Sequence, residues 1–178
     1  MKNNVTHIVF GVALVLLVGV LGGLIAYQEN VLRRGETTIL KTRPVDPRDL
    51  FRGEYVILRY EIETNELIEE QTQNMQYGSS VFVRLAEDNT GVVTAVTEVS
   101  QTPPETFTDE LWLRGEVRSG RVRFPDLEQF YVPEGAGRPI EDFRDKLHVE
   151  ISLHQGKARI VRLLDESLTE IDPKTYLE

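Results

Sequence analysis

Leu147-His-Val-Glu-Ile-Ser-Leu-His-Gln-Gly-Lys-Ala-Arg-Ile-Val-Arg-Leu-Leu164 carries the pattern on which the fold turns. Leu147, Val149, Ile151 and Leu153 fall on one side of an extended chain and His148, Glu150 and Ser152 on the other, the period of two that marks a strand with one buried face. Gln155-Gly156 then predicts a reversal into a second strand over residues 158–164. Working outward, residues 37–42 are rich in β-branched side chains and read as a first strand, ended by Pro44. Val56, Leu58, Tyr60 and Ile62 alternate with Tyr55, Ile57, Arg59 and Glu61. Strand signals return at 80–86 and 91–99 around Asp88-Asn-Thr-Gly91, at 111–117 and 121–124 around Ser119-Gly120, and at 130–132. Residues 64–77 are polar and read either as a short surface helix, the preferred reading, or as a mobile excursion, and Leu164, Leu168 and Ile171 stand at helical spacing before Pro173. Short strands at hairpin spacing with little helix between them predict a mainly β fold: one antiparallel β barrel or sandwich with short helical turns.

Ahead of this domain lies Ile8-Val-Phe-Gly-Val-Ala-Leu-Val-Leu-Leu-Val-Gly-Val-Leu-Gly-Gly-Leu-Ile-Ala-Tyr27, 20 residues without a charge. At about 1.5 Å per residue it spans about 30 Å, one hydrocarbon core. Thirteen of the 20 are Leu, Ile, Val or Phe, which gives a gross insertion drive of about −4 to −8 kcal/mol. Tyr27 suits the interface, and Arg33 and Arg34 follow beyond it. The run exceeds the roughly 7–15 apolar residues of a cleaved signal and lacks an A-x-A-like site, so an uncleaved signal anchor is expected. Lys2 on one side nearly balances Arg33 and Arg34 on the other. We expect the short tail inside and the domain outside, an extracytoplasmic placement on a single-pass membrane protein. The organisation is then 1–7 tail, 8–27 transmembrane helix, 28–36 tether, 37–164 β domain and 165–178 C-terminal tail or cap. Gly11, Val15, Gly19 and Gly23 share one helix stripe, and Gly19 with Gly23 is a small-xxx-small pair suited to close helix packing, although glycine is also simply common in membrane helices.

The chain has 178 residues, which leaves room for one ordinary domain beyond the span. Its formal charge is −9, and Lys2 is the sole charged side chain before Glu29, so the part beyond the span is one charge more negative than the whole. Such a surface repels phosphates, which argues against nucleic acid as a partner and against broad adsorption to anionic lipid. Attachment to the membrane is expected through the helix. No cysteine is present, which excludes disulfides and thiol chemistry.

Pro44-Val-Asp-Pro-Arg-Asp-Leu-Phe-Arg-Gly-Glu-Tyr-Val-Ile-Leu-Arg-Tyr60 is the most informative stretch for function. Asp46 can cap a helical turn, Pro47 suits its first position, Asp49 lies where negative charge is favoured, and Gly53 permits a left-handed exit into the strand. Gly53-Glu-Tyr-Val-Ile-Leu-Arg-Tyr60 resembles the signature of the GDYXXLXY family, with Gly53, Glu54, Tyr55, Leu58 and Tyr60 as the matching positions. Residues 44–52 resemble that family's lead-in, and Phe130-Tyr-Val-Pro-Glu-Gly-Ala-Gly137 is similar to its later segment. Glu54 stands where the name has Asp; charge is kept, but the longer side chain does not form the same short Asx bond. The resemblance implies a membrane-anchored protein without an established activity, often encoded beside multi-span membrane proteins, and a multi-span membrane protein is the partner to expect. It implies no catalytic residue.

Asp46, Arg48, Asp49, Arg52 and Glu54, beside Tyr55 and Tyr60, form a candidate recognition site, with Glu134 of the glycine loop placed against it; a turn locked by Arg–carboxylate pairs uses the same residues. His7, His148 and His154 lack paired ligand spacing, so no metal and no cofactor is expected. Ser79, Ser80 and Ser100 lack the lysine motif of a Ser-Lys peptidase. Residues 134–138 lack the setting of a phosphate loop. The leading expectation is a non-enzymatic component of a membrane assembly whose domain contacts a partner; the alternatives are a membrane-tethered, Ser-Lys peptidase-like hydrolase and a small-ligand sensor.

Overall fold

The computed structural model describes residues 2–43, 55–108, 110–133, 140 and 147–176. Helix α1 (Lys2–Arg34) is long and apolar enough to cross a membrane. Every described side chain from Val9 to Ala26 is exposed. The helix runs on through most of the expected tether, and Gly35 alone separates it from strand β1 (Glu36–Lys41).

The described part of the domain is mainly strand, as the alternation predicts. After β1 come β2 (Tyr55–Ile57), a 3-10 turn (Glu61–Thr64), helix α2 (Glu66–Thr72), β3 (Ser80–Glu87), β4 (Val93–Ser100), β5 (Leu111–Arg118), β6 (Arg121–Arg123), β7 (Gln129–Tyr131), β8 (His148–His154), β9 (Lys157–Leu164) and β10 (Glu170–Ile171). Two antiparallel four-stranded sheets form, in the orders β1-β8-β9-β10 and β4-β3-β5-β6, with β2 and β7 as a separate pair. Two seams tie the sheets into a curled, barrel-like body: Ile39 N donates to Gly91 O at 2.8 Å and Arg114 N to Gly156 O at 2.8 Å. Leu40, Val81, Val83, Leu113, Val149, Ile151 and Leu163 fill the space between them, each at most 1% exposed. Burial of such side chains contributes about 1.5–3 kcal/mol apiece and makes the inward register costly to shift.

The local signals explain the connections. Gln155 (φ 51°) with Gly156 (φ 79°), and Ser119 (φ 52°) with Gly120 (φ 74°), take the left-handed pairs that two-residue hairpins require. Asp88 Oδ1 accepts from the amides of Thr90 and Val92 and closes the β3–β4 turn. Asn65 caps α2 by accepting from Leu67 N at 3.0 Å. Two expectations change. Ile62 leaves the alternating strand and sits in the 3-10 turn after Tyr60. Leu168 and Ile171 do not continue a helix: Asp165 Oδ1 accepts from Ser167 N and Thr169 N, Leu168 takes φ 60°, and the chain turns back to pair β10 with β9.

The end of α1 docks on the outer face of the first sheet. Ser152 Oγ donates to Val31 O at 2.7 Å, and Val31 is 5% exposed. Gly35 permits the approach, since a Cβ there would lie 2.2 Å from Ser152 Oγ and 2.5 Å from Val31 O.

Candidate functional site

The signature strand and the later motif are separated by about 70 residues in sequence and meet in space. Tyr55 pairs with Tyr131, Val56 with Phe130 and Ile57 with Gln129, and Leu58 N extends the ladder to Glu128 O at 2.9 Å. The alternation of β2 therefore has two destinations. Val56, Leu58 and Tyr60 point into the core at 4%, 2% and 0% exposure, while Tyr55, Ile57 and Arg59 remain half-buried on the outer side.

On the inner side, Tyr60 donates its phenolic proton to Leu127 O at 2.8 Å. Burial, then the charge of Glu63, pushes the phenol well above its ordinary range, so it remains a proton-bearing donor and is no base. Glu63 is the deepest acid among the described residues. Its side chain is fully buried, and Oε2 accepts from Arg123 Nη1 at 2.5 Å and lies 3.9 Å from Arg43 Nε. Burial pushes this carboxyl above the ordinary range against the pull of Arg123, Arg59 and Arg43. Its Oε1 has no hydrogen-bond partner among the described residues. The arrangement ties the 3-10 turn, β6 and the chain after β1 into one clamp.

On the outer side, Arg59 Nη1 donates to Glu128 Oε1 at 2.9 Å, while Arg118 lies 3.8 Å from the other carboxylate oxygen of Glu128 and donates to Glu116 at 3.0 Å. Above these pairs the Tyr55 and Tyr131 rings meet edge to face with centroids 6.1 Å apart, Tyr131 being 71% exposed. An aromatic pair bordered by paired charges can form a contact surface for another protein.

The structure brings Tyr55, Leu58 and Tyr60 together with Phe130 and Tyr131. Asp46, Arg48, Asp49, Arg52, Gly53, Glu54 and Glu134 lie outside the described residues, as do the helical turn expected over 46–53, the glycine loop and residues 141–146. A Cβ at Gly19 or Gly23 would meet nothing within 4 Å, so that stripe is open. Ser80 Oγ accepts from Arg114, and Ser100 Oγ is engaged with Thr102. Among the described residues no group of three or more His, Asp and Glu is arranged to hold a metal. The sequence reading missed Glu63, Arg43, Arg59, Arg123 and Glu128. No spacing signal joins them, because five charged residues spread over some 85 positions converge through the fold alone.

No curated protein and no solved structure matches the chain. The family model described as GDYXXLXY protein matches residues 17–163, a span that takes in the signature strand, its β7 partner and the end of the apolar helix. The chain therefore belongs to the GDYXXLXY family.

Proposed function

We propose that this protein is a membrane-anchored, non-catalytic component of a membrane assembly. Its α1 is the single span, its β domain lies on the extracytoplasmic side, and the Tyr55–Tyr131 face meets a multi-span membrane protein. The observation that carries the reading is the junction: α1 enters the domain through one glycine and is fixed to β8 by the Ser152–Val31 hydrogen bond. Span and domain then share one orientation, so a neighbour held by the helix also faces a fixed part of the domain. The Gly19–Gly23 stripe is the surface for that neighbour's helix.

A photoreactive amino acid placed at Tyr131 in native membranes tests this, with Glu70 on the exposed face of α2 as the control position. The expected result is a discrete adduct with a multi-span protein from position 131 and none from position 70. Failure of both positions to crosslink, with the full chain purifying alone in mild detergent, refutes the assembly reading. Covalent labelling by a serine-directed activity probe would move the reading to a tethered hydrolase.

A second reading, a small-ligand sensor, is favoured by one feature. A cleft of about 370 Å³ opens between the end of α1 and the β8–β9 turn, lined by Arg34, Phe107, Glu110, Trp112 and His154. Ligand-dependent melting of the full chain supports that reading, and its absence across a metabolite panel removes it.

A further inference from the structure

Where α1 crosses the outer face of the first sheet, a second groove of about 350 Å³ opens between the helix and β9. Its lining is Leu24, Ile25, Glu29, Leu32 and Arg159. Leu24, Ile25 and Leu32 are 56%, 70% and 44% exposed, and the first two belong to the apolar run itself. Arg159 projects from β9, opposite Ser152, on the face that α1 covers. It has no ion-pair partner among the described residues. The Glu29 side chain is 50% exposed and, among the described residues, carries only the surface pair with Arg33 at 3.1 Å. A cation and an anion thus flank an apolar wall at the level where the span leaves hydrocarbon.

We propose that this groove binds the headgroup of a zwitterionic phospholipid with a primary ammonium, its phosphate on Arg159, its ammonium on Glu29 and an acyl chain along Leu24, Ile25 and Leu32. The proposal rests on the membrane-anchored reading above. Charge complementarity selects the occupant. A guanidinium matches a phosphate, and a carboxylate beside it favours a headgroup that also carries a positive charge. The acidic balance of the chain, −9 overall, works against an anionic lipid at the same place. Because the junction is fixed, the contact lays the outer side of β9 against the bilayer surface.

The absence of cysteine makes the test clean. The full chain carrying Val161→Cys, a β9 position 41% exposed, is labelled with one fluorophore and reconstituted into vesicles of phosphatidylethanolamine and phosphatidylglycerol. A nitroxide near the top of an acyl chain is placed on one lipid or the other. The expected result is about two- to fivefold stronger quenching from phosphatidylethanolamine, the preference a half-exposed ion pair supports. Arg159→Glu abolishes that preference. Glu29→Gln, a change on an exposed helix surface, abolishes it independently of any effect of the first variant on folding. Equal quenching by the two lipids, stronger quenching from phosphatidylglycerol, or a preference unchanged in both variants overturns the proposal. Carbonate release of the protein from the vesicles overturns the anchored reading itself, whereas a retained protein without lipid preference overturns only the groove.

Discussion

Replacing Tyr60 by Phe separates two meanings of the family signature. The ring and its packing are kept, and one atom is lost: the hydroxyl that donates to Leu127 O at 2.8 Å in a fully buried setting. The carbonyl is left without its partner and cannot reach water, so the expected loss is about 1–3 kcal/mol. For a domain of this size that lowers the melting temperature by about 3–10 °C. Tyr55→Phe is the control. It removes a hydroxyl from a half-buried side chain with no hydrogen bond among the described residues, and the change should stay within about 0.5 kcal/mol. The assay is thermal and denaturant unfolding of the full chain in detergent micelles, followed by the fluorescence of Trp112, the single tryptophan and 4% exposed. A Tyr60→Phe protein that melts with the wild type, or equal losses for the two variants, would refute the argument that Tyr60 serves the fold.

Gly35→Ala should destabilise the chain by about 1–3 kcal/mol, because the added Cβ meets Ser152 Oγ and the Val31 carbonyl; faster hydrogen exchange at Ser152 and Leu153 locates the damage. Glu63 gives a pH signature. Its carboxyl lies above the ordinary range in the fold, so the folded chain holds the proton more tightly than the unfolded one. That contribution to stability is full below the unfolded value and declines as pH rises through the folded value. Glu63→Gln should therefore flatten the stability profile on the side above the ordinary glutamate range, about pH 4, and an unchanged profile in denaturant midpoints rejects the assignment. Asp165→Ala removes the acceptor for two turn amides and should cost about 1 kcal/mol while freeing β10. Loss of protection at Ile171, with the other strands unchanged, is the exchange pattern that checks it.

What was legible in the sequence follows from how far each signal reaches along the chain. The β8–β9 hairpin could be read from Leu147, Val149, Ile151 and Leu153 with Gln155-Gly156, because one buried face and one turn pair are local facts. The apolar helix was equally local. The run from Leu164 to Ile171 misled because helical spacing of apolar residues coincides with a strand, a tight turn and a returning strand; the Asp165 side chain and the left-handed Leu168 decide the matter. Of the candidate site, the inward set Val56, Leu58 and Tyr60 was legible from alternation, and the pairing of Tyr55 with Tyr131 was not. Two motifs can be named without knowing that they touch. Glu63 was invisible for a stronger reason: next to Glu61 in a polar stretch it resembles a solvated acid, and only tertiary folding places Arg43 and Arg123 around it.

With α1 as the proposed span beside the proposed neighbour, an unbroken helix from bilayer to sheet also sets an azimuth. Each residue added to α1 above the lipid would raise the domain by about 1.5 Å and turn it by about 100° around the helix axis, while seven would return it to within about 20° of its starting direction. A single inserted alanine thus swings the tyrosine face away from a stationary neighbour without touching any side chain in the β core, and a two-turn insertion points it back.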